Sequence, residues 1–305
     1  MKCVRFTFLL GLIVLVLTVQ AACAGEIEWR VTRTRHFLIY YAAGAESTAK
    51  RAGDVAEKWY ATLSRRLNCS PRGLTPIYLY PDRRSFSEAT GVEPGERIVG
   101  IAHTRVLRVR VDASGAFTDI AQVIPHELVH VFISQRLRWN SDRMPLWMHE
   151  GLAKYLAGDW TGPDAELLAD AAAGGSILSL DRISRVFPAD ERKRSIAYVQ
   201  SYSAVKYMAD EYSPASIPDL LSELEAGQPF KTALFNSIGR APKEFEEEWR
   251  QYLWEEYSWA RWGRLASGFA WFAMGLLAIL AFRARILQKR RKAREMEEEG
   301  KYDEG

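Results

Sequence analysis

The distribution of hydrophobic positions divides the chain into a first part with strands and helices and a second part that is helical. Residues 36–41 and 77–80 are short apolar and aromatic runs, which are typical of strands. Between them, residues 46–67 repeat their apolar side chains at helical spacing and predict a long amphipathic helix. Residues 98–102 and 106–111 predict one bent strand or two, because the second run alternates with period two.

The second part of the chain lacks this alternation. Helical spacing of apolar residues recurs in residues 195–211, 217–224, 230–238 and 243–257. Strands and helices in alternation, followed by helices alone, predict an α+β fold. We therefore divide the body into an N-terminal α/β sheet subdomain, residues 25–116, and a mainly helical subdomain, residues 117–258.

The start of the chain has the pattern of a secretory signal peptide. Two basic residues precede an apolar run over residues 6–19, and Ala22-Cys23-Ala24 fits the small-x-small cleavage site. We predict a signal peptide over residues 1–24, with cleavage after Ala24. Lipidation at Cys23 and retention as an uncleaved anchor stay open as alternatives.

A second apolar stretch near the other end is long enough to cross a membrane. Residues 265–282 carry no charge, and Trp259 and Trp262 precede them as interfacial aromatic residues. A dense basic segment follows, and basic flanks stay in the cytoplasm. The pattern predicts one membrane helix over residues 262–283, an extracytoplasmic body and a cytoplasmic tail, residues 284–305. The alternative is a buried core helix.

Charge and cysteine content exclude two classes of function. The net charge is +3, but the N-terminal segment and the tail from Arg283 each contribute +2, which leaves −1 for the body. A near-neutral body argues against nucleic-acid binding. Cys69 is alone in the mature chain, so an internal disulfide and a cysteine-ligated metal site are both excluded.

The motif that carries chemistry is H-E-x-x-H, formed by His126, Glu127 and His130. Histidines four residues apart lie on one face of a helix, about a turn from each other, and both can bind one zinc ion. Glu127 lies beside that ion and can take a proton from a zinc-activated water. A catalytic zinc needs a third protein ligand, which this helix does not supply.

Glu150 is the candidate for the third ligand. It lies in the interior of a predicted helix with an apolar face, where a carboxylate is costly unless it is paired or bound to metal. His149 is the rival ligand. The two side chains lie ~100° apart around the helix, so both cannot easily face one ion.

These motifs resemble those of the gluzincin metallopeptidases, especially peptidase MA-like domains. The resemblance rests on H-E-x-x-H, a gap of nineteen residues and W-x-x-E-G-x-A-x-Y from Trp147 to Tyr155. It implies a zincin-like fold with a small mixed sheet and Glu150 as the third zinc ligand. It also implies that an edge strand binds extended substrate, for which residues 106–111 are our candidate, the alternative being an ordinary half-exposed strand. Tyr198 and Tyr202 are candidates to stabilise the oxyanion.

Together these features predict a membrane-anchored, extracytoplasmic zinc metallopeptidase. His126, His130 and Glu150 are the predicted ligands of Zn²⁺, and Glu127 is the predicted general base for hydrolysis of a peptide or protein substrate. One alternative is a catalytically silent, membrane-tethered binding or scaffold protein of the same fold. Another is a zinc hydrolase that acts on a non-peptide amide.

Overall fold

The structure is a computed structural model that describes residues 27–93, 95–96, 98–103, 107–116, 119–137, 143–257 and 271–291. The predicted signal peptide and the tail beyond residue 291 lie outside the described residues. The α+β architecture predicted from the sequence is confirmed, with a small mixed sheet followed by a mainly helical region.

Five strands form one sheet in the spatial order β1-β2-β3-β5-β4. Strands β2, β3 and β5 run parallel to one another, and β1 and β4 pair antiparallel at the two edges. The strands are β1 (Trp29–Arg33), β2 (Phe37–Ala42), β3 (Thr75–Tyr80), β4 (Gly100–His103) and β5 (Arg108–Asp112).

The helices of the sheet subdomain are α1 (Glu46–Arg66) and α2 (Arg83–Thr90). Helix α1 buries its small residues, such as Ala49, Ala52 and Ala56, so it lies close against the sheet. Helix α2 begins where the Asp82 side chain accepts a hydrogen bond from the Ser85 N–H, and it ends at Gly91 in the left-handed conformation.

The remaining helices follow the sheet in sequence. They are α3 (Ile120–Arg136), α4 (Leu146–Ala157), α5 (Gly162–Ala173), α6 (Glu191–Tyr207), α7 (Ser216–Glu225), α8 (Phe230–Ile238) and α9 (Pro242–Glu256). Helix α6 continues into one π-helical turn, Met208–Tyr212. The main hydrophobic core joins the sheet to α1, α3 and the later helices, and a smaller cluster consists of Tyr80, Phe86 and Val92.

The sheet has one buried face and one partly open face. Alternate apolar residues of the three parallel strands point toward α1 and α3 and are buried: Phe37, Ile39, Ile77, Leu79, Val109 and Val111. On the other face, Tyr40 and Tyr78 stack with their ring centroids 4.5 Å apart. The buried face therefore holds the sheet against the helix that carries the H-E-x-x-H motif.

The assignment of residues 106–111 as the edge strand was wrong. Strand β5 pairs with β3 on one side and with β4 on the other, so β4 is the edge strand at that end of the sheet. The alternation of arginine with valine in β5 shows which side chains lie on each face of the sheet. It does not show whether the strand lies at an edge or in the middle of the sheet.

Helix α10 (Trp271–Arg291) is long and apolar enough to cross a membrane, and almost all of its residues are exposed. It continues beyond the predicted boundary at Arg283 into the basic segment. The first residues of the predicted membrane helix, 262–270, lie outside the described residues. Length and composition alone support this assignment.

Candidate metal centre and cleft

Helix α3 presents the two histidines of the H-E-x-x-H motif on one face. The helix begins at Asp119, whose side chain accepts a hydrogen bond of 2.9 Å from the Ala121 N–H. Pro125 lies inside α3, yet the helix runs unbroken from Ile120 to Arg136. The apolar residues around the motif are buried, which fixes the rotation of α3 about its axis.

Helix α4 brings Glu150 to the same place. Trp147, Met148 and Leu152 are buried in the core, so the face of α4 that carries Glu150 turns toward α3. Gly151 allows α4 to approach α6, because a Cβ at this position would lie 2.7 Å from Val205 Cγ2 and even closer to the Ser201 carbonyl oxygen. The glycine after Glu150 therefore sets the distance between α4 and α6.

The three predicted metal ligands meet. Glu150 Oε2 lies 3.4 Å from His126 Nε2 and 3.8 Å from His130 Nε2. One ligand atom from each residue lies within 4.8 Å of the other two. Ligands about 2.0–2.1 Å from a tetrahedral zinc ion are ~3.3 Å apart, so the ligand atoms must approach one another by at most about 1.5 Å to bind the ion. Two imidazoles and a carboxylate also match the donor set of catalytic zinc sites.

The charges of His130 and Glu150 suit metal binding, because ligands bind in their deprotonated forms, whereas a metal ion must compete with a proton at His126. Burial lowers the pKa of His130 to about 3, so its imidazole is neutral. Burial opposes the charged form of Glu150, but His130 and His126 outweigh it and hold the pKa of this carboxyl well below its usual value. Burial also opposes the charged form of His126, but hydrogen bonding to Glu150 and the charges of Glu127, Glu150 and Asp159 raise its pKa.

His149 lies on the far side of His130 from Glu150. Its Nδ1 atom is 3.1 Å from His130 Nδ1, whereas His130 Nε2 faces Glu150. Among the described residues, the group whose ligand atoms converge consists of His126, His130 and Glu150. The geometry thus separates His149 from this group, in agreement with the angle expected between neighbours on a helix.

Glu127 lies beside the cluster and is only 7% exposed. Burial, with the charge of Glu150, raises its pKa to about 7, although His126 and a hydrogen bond from the Ala102 N–H act in the opposite direction. A carboxyl group with a pKa near neutrality can both accept and release a proton at physiological pH.

Edge strand β4 packs directly against Glu127. A Cβ at Gly100 would lie 2.5 Å from Val123 Cγ1 and 2.6 Å from Glu127 Oε1, so only glycine permits this approach. The Asp112 N–H donates to the Val99 carbonyl on the β5 side of β4. Because bonding alternates along an antiparallel strand, Gly100 and Ala102 direct their backbone groups to the open edge.

A cleft of about 640 Å³ opens beside the cluster, between β4 and α3 on one side and the helical region on the other. Tyr198 of α6 lines the cleft with His126 and Glu127. Burial and the charges of Glu150 and Glu127 raise the Tyr198 pKa, so its hydroxyl stays protonated. Tyr202 instead stacks on Trp160, with ring centroids 4.2 Å apart.

Sequence reasoning missed several residues of the cleft, above all Gly100 and Arg194. The sequence contains one indication for Gly100, because a glycine inside a strand indicates close approach of another group. It contains no indication for Arg194, because the position of this residue in the cleft depends on how α6 packs against α4.

The fold and the site together define a class of protein, the metallopeptidase-like α+β domains. Residues 57–255 match the family model of the peptidase MA superfamily, and the chain belongs to this superfamily. It is 20% identical over 230 residues to the uncharacterized protein YhcO of Bacillus subtilis (strain 168), a match that covers 70% of this chain and 69% of YhcO.

Solved structures that match part of the chain include the M1 zinc metallopeptidase from Deinococcus radiodurans, which is 17% identical with a TM-score of 0.40. The match covers 74% of this chain and 52% of that enzyme. A mutant of the same enzyme bound to a Tyr-Ser-Ala substrate is 19% identical, with a TM-score of 0.38 and coverage of 75% and 51%. The chain thus spans about half the length of these structures.

Proposed function

We propose that the protein is a membrane-anchored, extracytoplasmic zinc metallopeptidase that hydrolyses peptide bonds. The observation that carries this proposal is the convergence of His126, His130 and Glu150 beside a solvent-open cleft that His126 and Glu127 line. The three converging side chains would hold Zn²⁺. When bound, the zinc ion polarises the scissile carbonyl and lowers the pKa of water toward ~7.

Glu127 acts as the general base and then as the general acid. Its carboxylate accepts a proton from the attacking water and delivers it to the amine that leaves. Two features suit this role: a pKa raised to about 7 and a position next to the metal ligands. Burial keeps the carboxylate away from competing water, and Gly100 leaves it the space that it needs.

Tyr198 stabilises the negative charge that develops on the carbonyl oxygen. It lines the same cleft as Glu127, and its protonated hydroxyl can donate a hydrogen bond. Tyr202 packs on Trp160 and has a structural role.

Strand β4 binds the substrate backbone. Its open edge presents the N–H and carbonyl of Gly100 and the carbonyl of Ala102, while the Ala102 N–H donates to Glu127. An extended peptide that pairs with this edge gains main-chain hydrogen bonds, whatever its side chains. The same pairing brings a peptide carbonyl next to the proposed general base, Glu127.

A single membrane span, which we place at residues 262–283 and which includes the first part of helix α10, anchors the protein. The basic residues from Arg283 onward favour a cytoplasmic tail, so the body that contains the cleft lies outside the cytoplasm. We propose that this body comprises a sheet subdomain, residues 25–116, and a mainly helical subdomain, residues 117–258, and residues of both line the cleft. The signal peptide, residues 1–24, directs the chain to this location.

Substitution of the general base tests the proposal. The full chain in detergent, loaded with zinc, is incubated with casein as a generic unfolded substrate, and new peptide ends are measured. We expect Glu127→Gln to retain zinc and to lose at least 10²-fold in rate. The matched control is Glu166→Gln on the exposed surface of α5, which we expect to cleave at the wild-type rate.

Full activity of Glu127→Gln contradicts the assigned base. A wild-type protein that binds zinc stoichiometrically but cleaves neither casein nor peptides is instead the catalytically silent scaffold.

A further inference from the structure

The walls of the cleft carry more negative than positive charge. Among the described residues, apart from the candidate metal ligands and Glu127, four acidic and two basic side chains line the cleft. The acidic ones are Glu96, Asp159, Asp164 and Glu191, and the basic ones are Lys154 and Arg194. The Glu150 carboxylate and the ionised form of Glu127 would offset most of the charge of a bound Zn²⁺ ion, so the centre would offset little of the charge of the walls.

Lys154 is already neutralised by two carboxylates. Its ammonium nitrogen lies 3.0 Å from Asp159 Oδ2 and 3.6 Å from Asp164 Oδ2, and its side chain is only 10% exposed. The two aspartates are more accessible than the lysine that they share. One ammonium between two carboxylates leaves one negative charge toward the cleft, and Asp159 is close enough to act electrostatically on His126.

Arg194 is compensated as well. Its Nη1 atom lies 3.5 Å from Glu96 Oε1, while Nε and Nη2 donate to the carbonyl oxygens of Pro188 and Ala189 at 3.3 Å and 3.0 Å. These contacts hold the guanidinium against the wall, use three of its five N–H donors and offset its charge. Arg194 thus has little capacity left to attract an acidic substrate.

Glu191 has no cationic partner within ion-pair distance among the described residues. It lies in the first turn of α6, its residue is exposed, and it lines the cleft together with Arg194 and Tyr198. The Glu191 carboxylate is unpaired, and Asp159 and Asp164 together carry one excess negative charge. Both features favour binding of a cation in the cleft. In a cleft with low-dielectric walls, such charges concentrate ligands of opposite sign.

We infer that the cleft selects peptides with lysine or arginine side chains close to the scissile bond. Asp159, Asp164 and Glu191 form the acidic wall that determines this specificity. The inference rests on the proposed function, because it treats the cleft as the place where a peptide binds. It adds the substrate class, which the metal cluster and its base do not determine.

Binding and cleavage of matched peptides test the inference separately. Three fluorescent peptides differ only at three central residues, which are all lysine, all glutamine or all glutamate, so the charge lies near the cut whichever bond is cleaved. Zinc-loaded full-length Glu127→Gln protein binds them without turnover, and fluorescence anisotropy gives Kd. We expect the lysine peptide to bind about tenfold more tightly than the glutamine peptide, and the glutamate peptide to bind most weakly. Added salt should reduce these ratios.

Glu191→Gln, combined with Glu127→Gln, should lower the lysine-to-glutamine ratio about threefold. Glu166→Gln in the same background makes the same change of charge outside the cleft and should leave the ratio unchanged. Equal Kd values for the lysine and glutamine peptides overturn the inference. So does a ratio that Glu191→Gln does not change.

Wild-type protein then reports cleavage of the same peptides. If the lysine peptide binds preferentially but no peptide is cut, the charge selectivity stands and the proposed peptidase activity fails. If all three peptides bind and are cut equally, the activity stands and the selectivity fails.

Discussion

His149 Nδ1 lies 3.1 Å from His130 Nδ1, on the side of the His130 ring that faces away from Glu150. A histidine that binds metal through one nitrogen commonly donates the N–H of the other to a neighbouring acceptor, which fixes its orientation and tautomer. If His130 binds the metal through Nε2, its proton lies on Nδ1, where His149 Nδ1 can accept it. His149, which precedes Glu150 in sequence, would thus orient a predicted ligand from outside the group of three.

This relationship predicts a graded effect of substitution at His149. His149→Asn keeps an acceptor near His130 and should bind zinc within about threefold of the wild-type affinity. His149→Leu removes the acceptor and should weaken zinc binding about 10–100-fold, because such partners typically contribute that much to metal affinity. Competition with a chromogenic chelator measures both values. Equal zinc affinity of the leucine variant and the wild type would refute the role.

Local spacing explains why the metal cluster was predictable and the cleft was not. His126 and His130 are one helical turn apart, and Glu150 belongs to a motif on the next helix. These three candidate ligands could therefore be identified from local sequence patterns. The edge position of β4 depends on the order of five strands, which no single strand encodes. The choice between Tyr198 and Tyr202 depends on the rotation of α6, which packing against α4 determines.

Gly100 should be essential for the position of Glu127. Gly100→Ala places a methyl group within 2.6 Å of Val123 Cγ1 and Glu127 Oε1, so either β4 or Glu127 must shift. We expect kcat/KM to fall at least tenfold while zinc stays bound, and the free energy of unfolding to fall by about 1–3 kcal/mol. Peptide hydrolysis and chemical denaturation measure the two effects.

Gly95→Ala is the matched control for Gly100→Ala. Gly95 also lines the cleft, but a Cβ there meets no atom within 4 Å. Its activity and stability should stay close to wild type. Equal losses in the two alanine variants would mean that the close approach of β4 is not what matters.

Tyr198 and Tyr202 should behave differently when the hydroxyl is removed. Tyr198→Phe should lower kcat about 10–100-fold with little change in KM, because its hydroxyl acts on charge that develops only in the transition state. Tyr202→Phe keeps the ring that stacks on Trp160 and should retain activity. Steady-state kinetics on one peptide distinguish them. Unchanged kcat in Tyr198→Phe would exclude it as the oxyanion donor.

Glu57 should stabilise the fold in a pH-dependent way. Its carboxylate accepts hydrogen bonds from the Thr34 hydroxyl at 2.6 Å and the His36 backbone N–H at 2.8 Å. Burial alone would raise the Glu57 pKa, but these contacts and the His36 ring outweigh it and lower the pKa. A depressed carboxyl pKa stabilises the folded state above the unfolded pKa, and this contribution is lost as pH falls through the folded pKa.

Glu57→Gln should therefore reduce the free energy of unfolding by about 1–2 kcal/mol near pH 7. The difference from wild type should shrink as pH falls below ~4. Denaturant titrations at several pH values measure it, with Glu166→Gln as an exposed control. A difference in the free energy of unfolding that grows toward acid pH would show that folding does not lower the Glu57 pKa.

The most direct test of the account is the zinc content and coordination of the purified full chain. We predict one zinc ion per chain, with an X-ray absorption spectrum that shows two imidazole nitrogens and light oxygen or nitrogen ligands at about 2.0–2.1 Å. His126→Ala and Glu150→Ala should each lose stoichiometric zinc, as measured by elemental analysis. Wild-type protein that binds no zinc, or variants that bind it as tightly as wild type, would contradict a metal centre formed by these three residues.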